Sequence, residues 1–216
     1  MKKTYERIVE TRDTAEHINS GDVVWIGGTE GTAADFLAAL VQRRDELENV
    51  TLLVVTDDKP NASLDTLRHC GGFRVLSFYK DAITESYRES NNSERYEFVT
   101  SPAVKAIGLV CRHYNVNTMV LPVCQPGREN RFAVSAAQAL SAEIVSSCPT
   151  VTKRIALVDY KLKATGTSLP MDSFDVIGLN GHFKTTPQHP KSLAKSCLMP
   201  RLELSLKDSW DAAGWF

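Results

Sequence analysis

The sequence lacks three features that would each point to a particular class of protein. Neither charge is in excess, since 25 lysines and arginines accompany 26 aspartates and glutamates, so the basic surface of a nucleic-acid-binding protein is not expected. No apolar run approaches the roughly 18 residues of a membrane span. Two lysines near the start have no apolar segment behind them, so no signal peptide is predicted. We therefore expect a cytoplasmic globular protein with neither nucleic-acid nor membrane partners.

Cysteine is sparse and scattered. The five cysteines lie at positions 70, 111, 124, 148 and 197, and no two have the spacing of metal ligands. This pattern is typical of reduced thiols in the cytosol, and no metal site is predicted. Cys70 and Cys111 come closest to the basic setting that a reactive cysteine needs, although both are expected at helix ends.

The most informative stretch is residues 23–40, VVWIGGTEGTAADFLAAL. It predicts a buried strand at 23–26, a tight glycine turn at 27–31, and a helix from about residue 32 to 44 whose apolar side chains recur at helical spacing. Such a turn presents backbone N–H groups and a helix N-terminus to whatever lies above the edge of the sheet.

The rest of the chain repeats the alternation of strands and helices. Further strands are predicted at 49–56, 73–79, 96–99, 117–123, 132–134, 154–160 and 174–179, and further helices at 63–68, 81–89, 102–113 and 135–147. This order predicts an open, mostly parallel α/β sheet with helices on both faces, a Rossmann-like fold. We expect one domain over residues 1–186. Prolines interrupt residues 187–216, which are expected to form an arm that packs on the domain or on a partner.

The glycine turn allows three interpretations. A dinucleotide site would suit a strand, turn and helix followed by a second strand that ends at Asp57 and Asp58, but glycines 27, 28 and 31 do not fit G-x-G-x-x-G in any register. In the second interpretation, the glycines serve only the backbone conformation of the turn. The third interpretation is a family resemblance.

Residues 20–36, SGDVVWIGGTEGTAADF, resemble the N-terminal signature of the class I coenzyme A transferases, and are most similar to the acetyl-CoA hydrolase/transferase family. In that family, a strand after an S-G-D turn leads to a Gly-Gly pair and then to Gly-Thr-Pro. Gly27, Gly28, Gly31 and Thr32 match, and Ala33 stands at the proline position. The resemblance continues through residues 44–50 and, more weakly, through 118–125 and 173–177.

The resemblance implies a Rossmann-like CoA-transferase α-subunit fold and an enzyme acting on acyl-CoA and carboxylic acid substrates. In this family a glutamate attacks the acyl-CoA, forming an acyl anhydride and then a glutamyl-CoA thioester. The glycine turn supplies oxyanion donors and part of the acyl pocket. Coenzyme A enters as part of the substrate, and no tightly bound cofactor is expected.

The catalytic glutamate of that family belongs to a second α/β half or to a separate β-type subunit. This sequence shows no second glycine-rich strand–helix unit with a glutamate to match it. The resemblance therefore implies an α-type subunit that works in a hetero-oligomer with a β-type partner.

The candidate substrate-binding residues come from two turns. The first contributes Gly27, Gly28, Thr29, Gly31 and Thr32, and the second, QPGRENRF, contributes Gln125, Gly127 and Arg128. Relatives often have an acidic residue and His-Gly-Tyr at the second turn. There Arg128 and Arg131 are candidates for binding a carboxylate or a CoA phosphate, or else are solvated loop residues.

Glu30 is the candidate catalytic residue of this chain, because it lies inside the turn beside a helix N-terminus. It could act as a nucleophile or base, or be a solvated turn residue. Two alternatives to the transferase subunit follow. One is a non-catalytic relative that binds an acyl-CoA or scaffolds a partner, and the other is a stand-alone acyl-CoA hydrolase or decarboxylase centred on Glu30.

Overall fold

Ten strands are present within the residues that the computed structural model of the chain describes, which are 7–55, 61–77, 96–98, 104–126, 130–135, 138, 142–143, 145–163 and 167–180. In chain order they are β1 (Ile8–Glu10), β2 (Val23–Ile26), β3 (Val50–Val54), β4 (Phe73–Ser77), β5 (Tyr96–Phe98), β6 (Thr118–Val123), β7 (Arg131–Ala133), β8 (Lys153–Val158), β9 (Ser168–Pro170) and β10 (Val176–Leu179).

The helices separate these strands as the sequence predicts. They are α1 (Thr32–Gln42), α2 (Ala62–His69) and α3 (Val104–His113), with 3₁₀ helices at Asp13–His17 and Met171–Ser173. Residues 142–143 and 145–146 are also helical, within the helix predicted at 135–147. The helix predicted at 81–89 and the arm predicted at 187–216 lie outside the described residues.

Eight strands form one sheet in the order β1-β10-β8-β6-β2-β3-β4-β5. Every neighbouring pair in this sheet is parallel. β7 and β9 form a separate antiparallel pair. The predicted Rossmann-like α/β fold is therefore confirmed, and the three-residue strands β1 and β9 are additions to the prediction.

Helices cover both faces of the sheet, which explains why its strands are apolar throughout. Val24 and Ile26 point to the face on which Phe36, Leu37 and Leu40 of α1 are fully buried. Trp25 points to the opposite face and is also fully buried. Among the described residues, no helix combines the length and apolar character needed to cross a membrane.

Candidate functional site

The glycine turn lies where the order of the sheet reverses. From β2 the chain moves outward through β3, β4 and β5, and it then returns to β6 on the other side of β2. In open parallel sheets, ligands bind in the crevice at the carboxyl ends of the strands that flank such a reversal. The turn at 27–31 follows β2, and Gln125 follows β6, so the fold brings these two predicted segments to the same edge.

Gly27 is required by the close approach of β2 to β6. Its N–H donates to Val120 O at 3.0 Å, and a Cβ atom would lie 2.7 Å from Cδ1 of Leu121. A Cβ atom on Gly28 would lie 2.8 Å from Nε2 of Gln138. Gln138, which the sequence alone does not single out, therefore packs directly on the turn.

Gly31 has a different reason to be glycine. It is the N-cap residue of α1, with φ of 58° and ψ of −129°, a conformation that residues with a side chain rarely adopt. A Cβ atom here would lie 2.0 Å from Oδ2 of Asp159. A buried carboxylate therefore occupies the space that a side chain at Gly31 would need.

Asp159 is a site residue that sequence reasoning missed. It follows β8 directly and is 9% exposed. Its Oδ2 accepts a hydrogen bond from the Thr32 N–H at 3.3 Å, and its Oδ1 accepts one from the Lys161 N–H at 2.8 Å. An acidic residue at the end of a buried strand was the available signal, because all parallel strands of a sheet end at the same edge.

The carboxylate of Asp159 bears on the dinucleotide interpretation of the turn. In dinucleotide-binding folds, the pyrophosphate lies at the N-terminus of the helix that follows the first strand. Here the Asp159 carboxylate accepts from the first N–H of α1, so an anion of the chain itself holds that position. This arrangement disfavours a phosphate at the start of α1. Asp57 and Asp58, the proposed ribose ligands, lie outside the described residues.

The two threonines of the turn are buried, with Thr29 4% and Thr32 2% exposed. The Thr29 carbonyl accepts a hydrogen bond from Nδ2 of Asn61 at 2.8 Å, and the Thr32 hydroxyl donates to Leu157 O at 3.4 Å. Their polar groups thus tie the turn to β8 and to the segment before α2. Within the described part of the chain, the N–H groups of Gly28 and Thr29 donate to no protein acceptor.

Glu30 is exposed at the tip of the turn, and its carbonyl accepts from the Ala33 N–H at 3.1 Å. Exposure distinguishes its carboxylate from that of Asp159, which is the buried one at this turn. The position of Glu30 does not test its candidate catalytic role, which stays a prediction.

The second predicted turn is described only in part. Gln125 is half-buried, whereas Gly127 and Arg128 lie outside the described residues. Arg131 has a structural use, because its Nε donates to the Ser168 hydroxyl at 2.9 Å and its terminal nitrogen donates to the Ser168 carbonyl at 2.7 Å. These bonds join β7 to β9, which favours a structural role for Arg131 over anion binding.

The buried cysteines Cys124 and Cys111 are poor nucleophiles, and only Cys124 follows a strand at the edge of the sheet that carries the turn. Burial raises the pKa of the Cys124 thiol, and the nearby carboxylate of Asp159 raises it further. Burial, followed by the neighbouring Cys148, raises the pKa of Cys111 to about 12. Because the thiolate is the reactive form, neither thiol suits covalent catalysis near neutral pH. Cys70 instead lies at the end of α2, where its thiol donates to Thr66 O at 3.2 Å.

The fold and the glycine turn at the reversal of the sheet define the class of architecture, an open parallel α/β sheet of the Rossmann-like type. No protein-family model matches the sequence, and no curated protein matches it either. Solved structures with the same fold include RipA from Yersinia pestis, with a TM-score of 0.69 at 14% sequence identity, covering 82% of this chain and 43% of that chain.

Two further solved structures share the fold. A 4-hydroxybutyrate CoA-transferase from Porphyromonas gingivalis matches with a TM-score of 0.52 at 12% identity, over 81% of this chain and 39% of that one. A chain from a variant of the decarboxylase AibA/AibB matches with a TM-score of 0.54 at 13% identity, over 93% of this chain and 98% of that one. At these identities the likeness establishes the fold. This chain spans less than half of the RipA and CoA-transferase chains.

Proposed function

We propose that this chain is the α-type subunit of a CoA-transferase-like enzyme that acts on acyl-CoA thioesters. The observation that carries the proposal is the position of the turn at Gly27, Gly28 and Gly31. The residues that resemble the CoA-transferase signature form the turn after β2, at the reversal of a sheet whose fold a CoA-transferase shares. Glycines that only shape a surface loop are not expected to favour the point where the order of the sheet reverses, which is where ligands bind in such folds.

The lengths of the similar structures support a two-part enzyme. The chain matches 43% of RipA and 39% of the 4-hydroxybutyrate CoA-transferase, so more than half of each of those chains lies outside the match. It also matches 98% of one chain of a protein whose name has two components, AibA/AibB. Both relations fit a chain that supplies one half of an active site to a β-type partner.

The turn would act on the carbonyl group of the thioester. A glutamate of the partner attacks the carbonyl carbon, a C–O bond forms, and the carbonyl π electrons move to the oxygen. The N–H groups of Gly28 and Thr29 donate to that oxyanion, since no protein acceptor among the described residues competes for them. Collapse of the intermediate breaks the C–S bond and releases the CoA thiolate.

The other predicted residues have supporting roles in this proposal. Gly27 lets the turn approach β6, Gly31 leaves room for Asp159, and Thr32 begins α1. Gln125 follows β6, the strand beside β2, and we propose that Gln125, Gly127 and Arg128 also contact the substrate. Coenzyme A enters as part of the substrate, with a carboxylic acid as the acceptor.

The proposal is tested by reconstitution with the product of the adjacent reading frame. The two proteins are purified separately and mixed with a panel of short-chain acyl-CoA thioesters and acetate, and the thioesters are separated by chromatography. Transfer by the mixture, and by neither protein alone, is expected. Full transfer by the isolated chain would overturn the requirement for a partner. Calorimetric binding of acyl-CoA without any turnover would favour the non-catalytic alternative.

Decarboxylation is the second candidate, because the structure matched over nearly its whole chain is a decarboxylase. The same mixture is therefore assayed for release of CO₂ from CoA thioesters that carry a second carboxylate. Release without CoA transfer would replace the transferase by a decarboxylase on the same turn. Activity that survives Glu30→Gln would remove Glu30 from either reaction.

A further inference from the structure

Two side chains that are distant in sequence hold the glycine turn from opposite directions. The turn follows β2, which lies between β6 and β3, with β8 beyond β6. Asn61 reaches the turn from the segment after β3, and Asp159 reaches it from the end of β8. The two contacts therefore span the reversal of the sheet, with the turn between them.

Asn61 uses both ends of its amide. Its Oδ1 accepts from the Leu64 N–H at 2.9 Å and so caps the start of α2. Its Nδ2 donates to the Thr29 carbonyl at 2.8 Å. Because the peptide group is planar, holding the Thr29 carbonyl fixes the plane of the peptide that joins Thr29 to Glu30, and so restrains the backbone that carries the Thr29 N–H. One side chain thus couples the turn to the start of a neighbouring helix.

Asp159 holds the other end of the turn. Its Oδ2 accepts from the Thr32 N–H at 3.3 Å, and its Oδ1 accepts from the Lys161 N–H at 2.8 Å. Both oxygens are thereby engaged by backbone groups on two sides, and the N–H of Asp159 itself donates to Val123 O at 2.8 Å. The carboxylate is consequently locked in position above Gly31.

We infer that Asn61 and Asp159 are a pair of positioning residues that fix the glycine turn, so that the N–H groups of Gly28 and Thr29 aim at one point in the crevice. This inference rests on the proposed function, because it assigns those N–H groups to the thioester oxygen. Neither residue reacts with the substrate. A displacement of about 1 Å in such a group can reduce a rate by about 100-fold, so the pair governs turnover.

The sharpest test separates the two hydrogen bonds of Asn61. Asn61→Ser keeps a good N-cap for α2 but is too short to reach the Thr29 carbonyl, whereas Asn61→Ala loses both bonds. In the reconstituted enzyme we expect both variants to lower kcat about 10- to 100-fold with KM within about twofold of wild type. Asn61→Ala, which also loses the N-cap bond, should unfold at a lower urea concentration than Asn61→Ser. Wild-type kcat in Asn61→Ser would overturn the inference.

Asp159 is tested by partial rescue. Asp159→Asn retains one side-chain oxygen that can accept a hydrogen bond, and Asp159→Ala retains none. We expect kcat to fall in the order wild type, Asp159→Asn, Asp159→Ala, with KM unchanged. Gly71→Ala is the matched control, because no neighbouring atom of the described residues lies within 4 Å of the added methyl group. Equal kcat in wild type and Asp159→Ala would overturn the role of Asp159.

A failure of the proposed function is distinguishable from a failure of this inference. If the wild-type mixture transfers no CoA and releases no CO₂, the proposed function fails. The pair is then judged from the amide NMR spectrum of the isolated chain. Asn61→Ser should shift the Gly28 and Thr29 resonances, while Gly71→Ala leaves them in place. Unshifted resonances in Asn61→Ser would overturn the pair independently of any activity.

Discussion

A single methyl group at Gly31 should destabilise the protein more than the same methyl group at Gly21. Both glycines have positive φ, 58° and 82° respectively. In the part of the chain that the structure describes, no neighbouring atom lies within 4 Å of a Cβ added at Gly21, whereas at Gly31 the Cβ would lie 2.0 Å from Oδ2 of Asp159. Both substitutions therefore introduce backbone strain, and the substitution at Gly31 adds a clash.

The two costs can be estimated separately. Backbone strain at a glycine-only conformation costs roughly 1–3 kcal/mol for Gly31→Ala, and about 1–2 kcal/mol for Gly21→Ala. The clash forces the carboxylate of Asp159 away from the Thr32 N–H, and a buried hydrogen bond lost in this way costs about 1–3 kcal/mol. Gly31→Ala should therefore cost about 2–6 kcal/mol, a large part of the roughly 5–15 kcal/mol that stabilises a typical domain.

Urea unfolding followed by far-UV circular dichroism measures these costs. Gly31→Ala is also combined with Asp159→Ala, which removes the clashing carboxylate. In that background, we expect the cost of Gly31→Ala to fall to the strain alone, giving a coupling energy of at least about 1 kcal/mol. Equal costs at Gly21 and Gly31, or additive effects of Gly31→Ala and Asp159→Ala, would refute the placement of the carboxylate over Gly31.

Four further predictions concern the fold that supports the turn. Lys153→Met should cost about 1–3 kcal/mol by urea unfolding, because the Lys153 amine donates to the carboxylate of Asp22 at 3.0 Å. Asp22 is buried and Lys153 is half-buried, so the substitution leaves a buried carboxylate without this donor. An unchanged urea midpoint would contradict this. Cys111, with its pKa raised to about 12, should resist iodoacetamide at about pH 9 until the protein unfolds. Because the unfolded thiol ionises first, Cys111 should also lower stability by up to about 1.4 kcal/mol per pH unit from about pH 9 towards 12, and flat stability in that range would refute it. Arg131→Ala should speed amide hydrogen exchange in β7 and β9, because it removes both donors to Ser168. The urea midpoint should stay near wild type. Unchanged exchange would count against a role of Arg131 in joining β7 to β9.

The sequence predicts the parts of the fold that depend on neighbouring residues. The unit of β2, turn and α1 is predictable because an apolar run, glycines and a helical repeat follow one another directly, and the structure confirms it. β1 is not predictable in this way, since three residues carry too little periodicity, and the strand exists through its pairing with β10 at the other end of the described chain.

The site residues that the sequence does not predict are missed for the same physical reason, because their contacts join segments that are distant in sequence. In the sequence, Asp159 is only the end of a strand. Its role depends on β8 lying two strands from β2, which is a fact about the sheet order that no local pattern contains. In the sequence, Asn61 is likewise only part of the polar segment that ends the strand predicted at 49–56. Its contact with Thr29 is not predictable, because it joins segments that follow different strands. Glu30 is a candidate because it lies within the turn in the sequence, whereas the buried carboxylate at the turn belongs to Asp159, which follows β8.

The most direct test of the proposed function is the rate of Gly28→Leu in the reconstituted enzyme at saturating acyl-CoA. A Cβ atom at this position would lie 2.8 Å from Nε2 of Gln138, so a leucine displaces either Gln138 or the turn itself. If the turn binds the thioester oxygen, the rate of CoA transfer should fall by about 100-fold or more, while the circular dichroism spectrum and urea midpoint show a folded protein. A folded Gly28→Leu variant that transfers CoA at the wild-type rate would contradict the account.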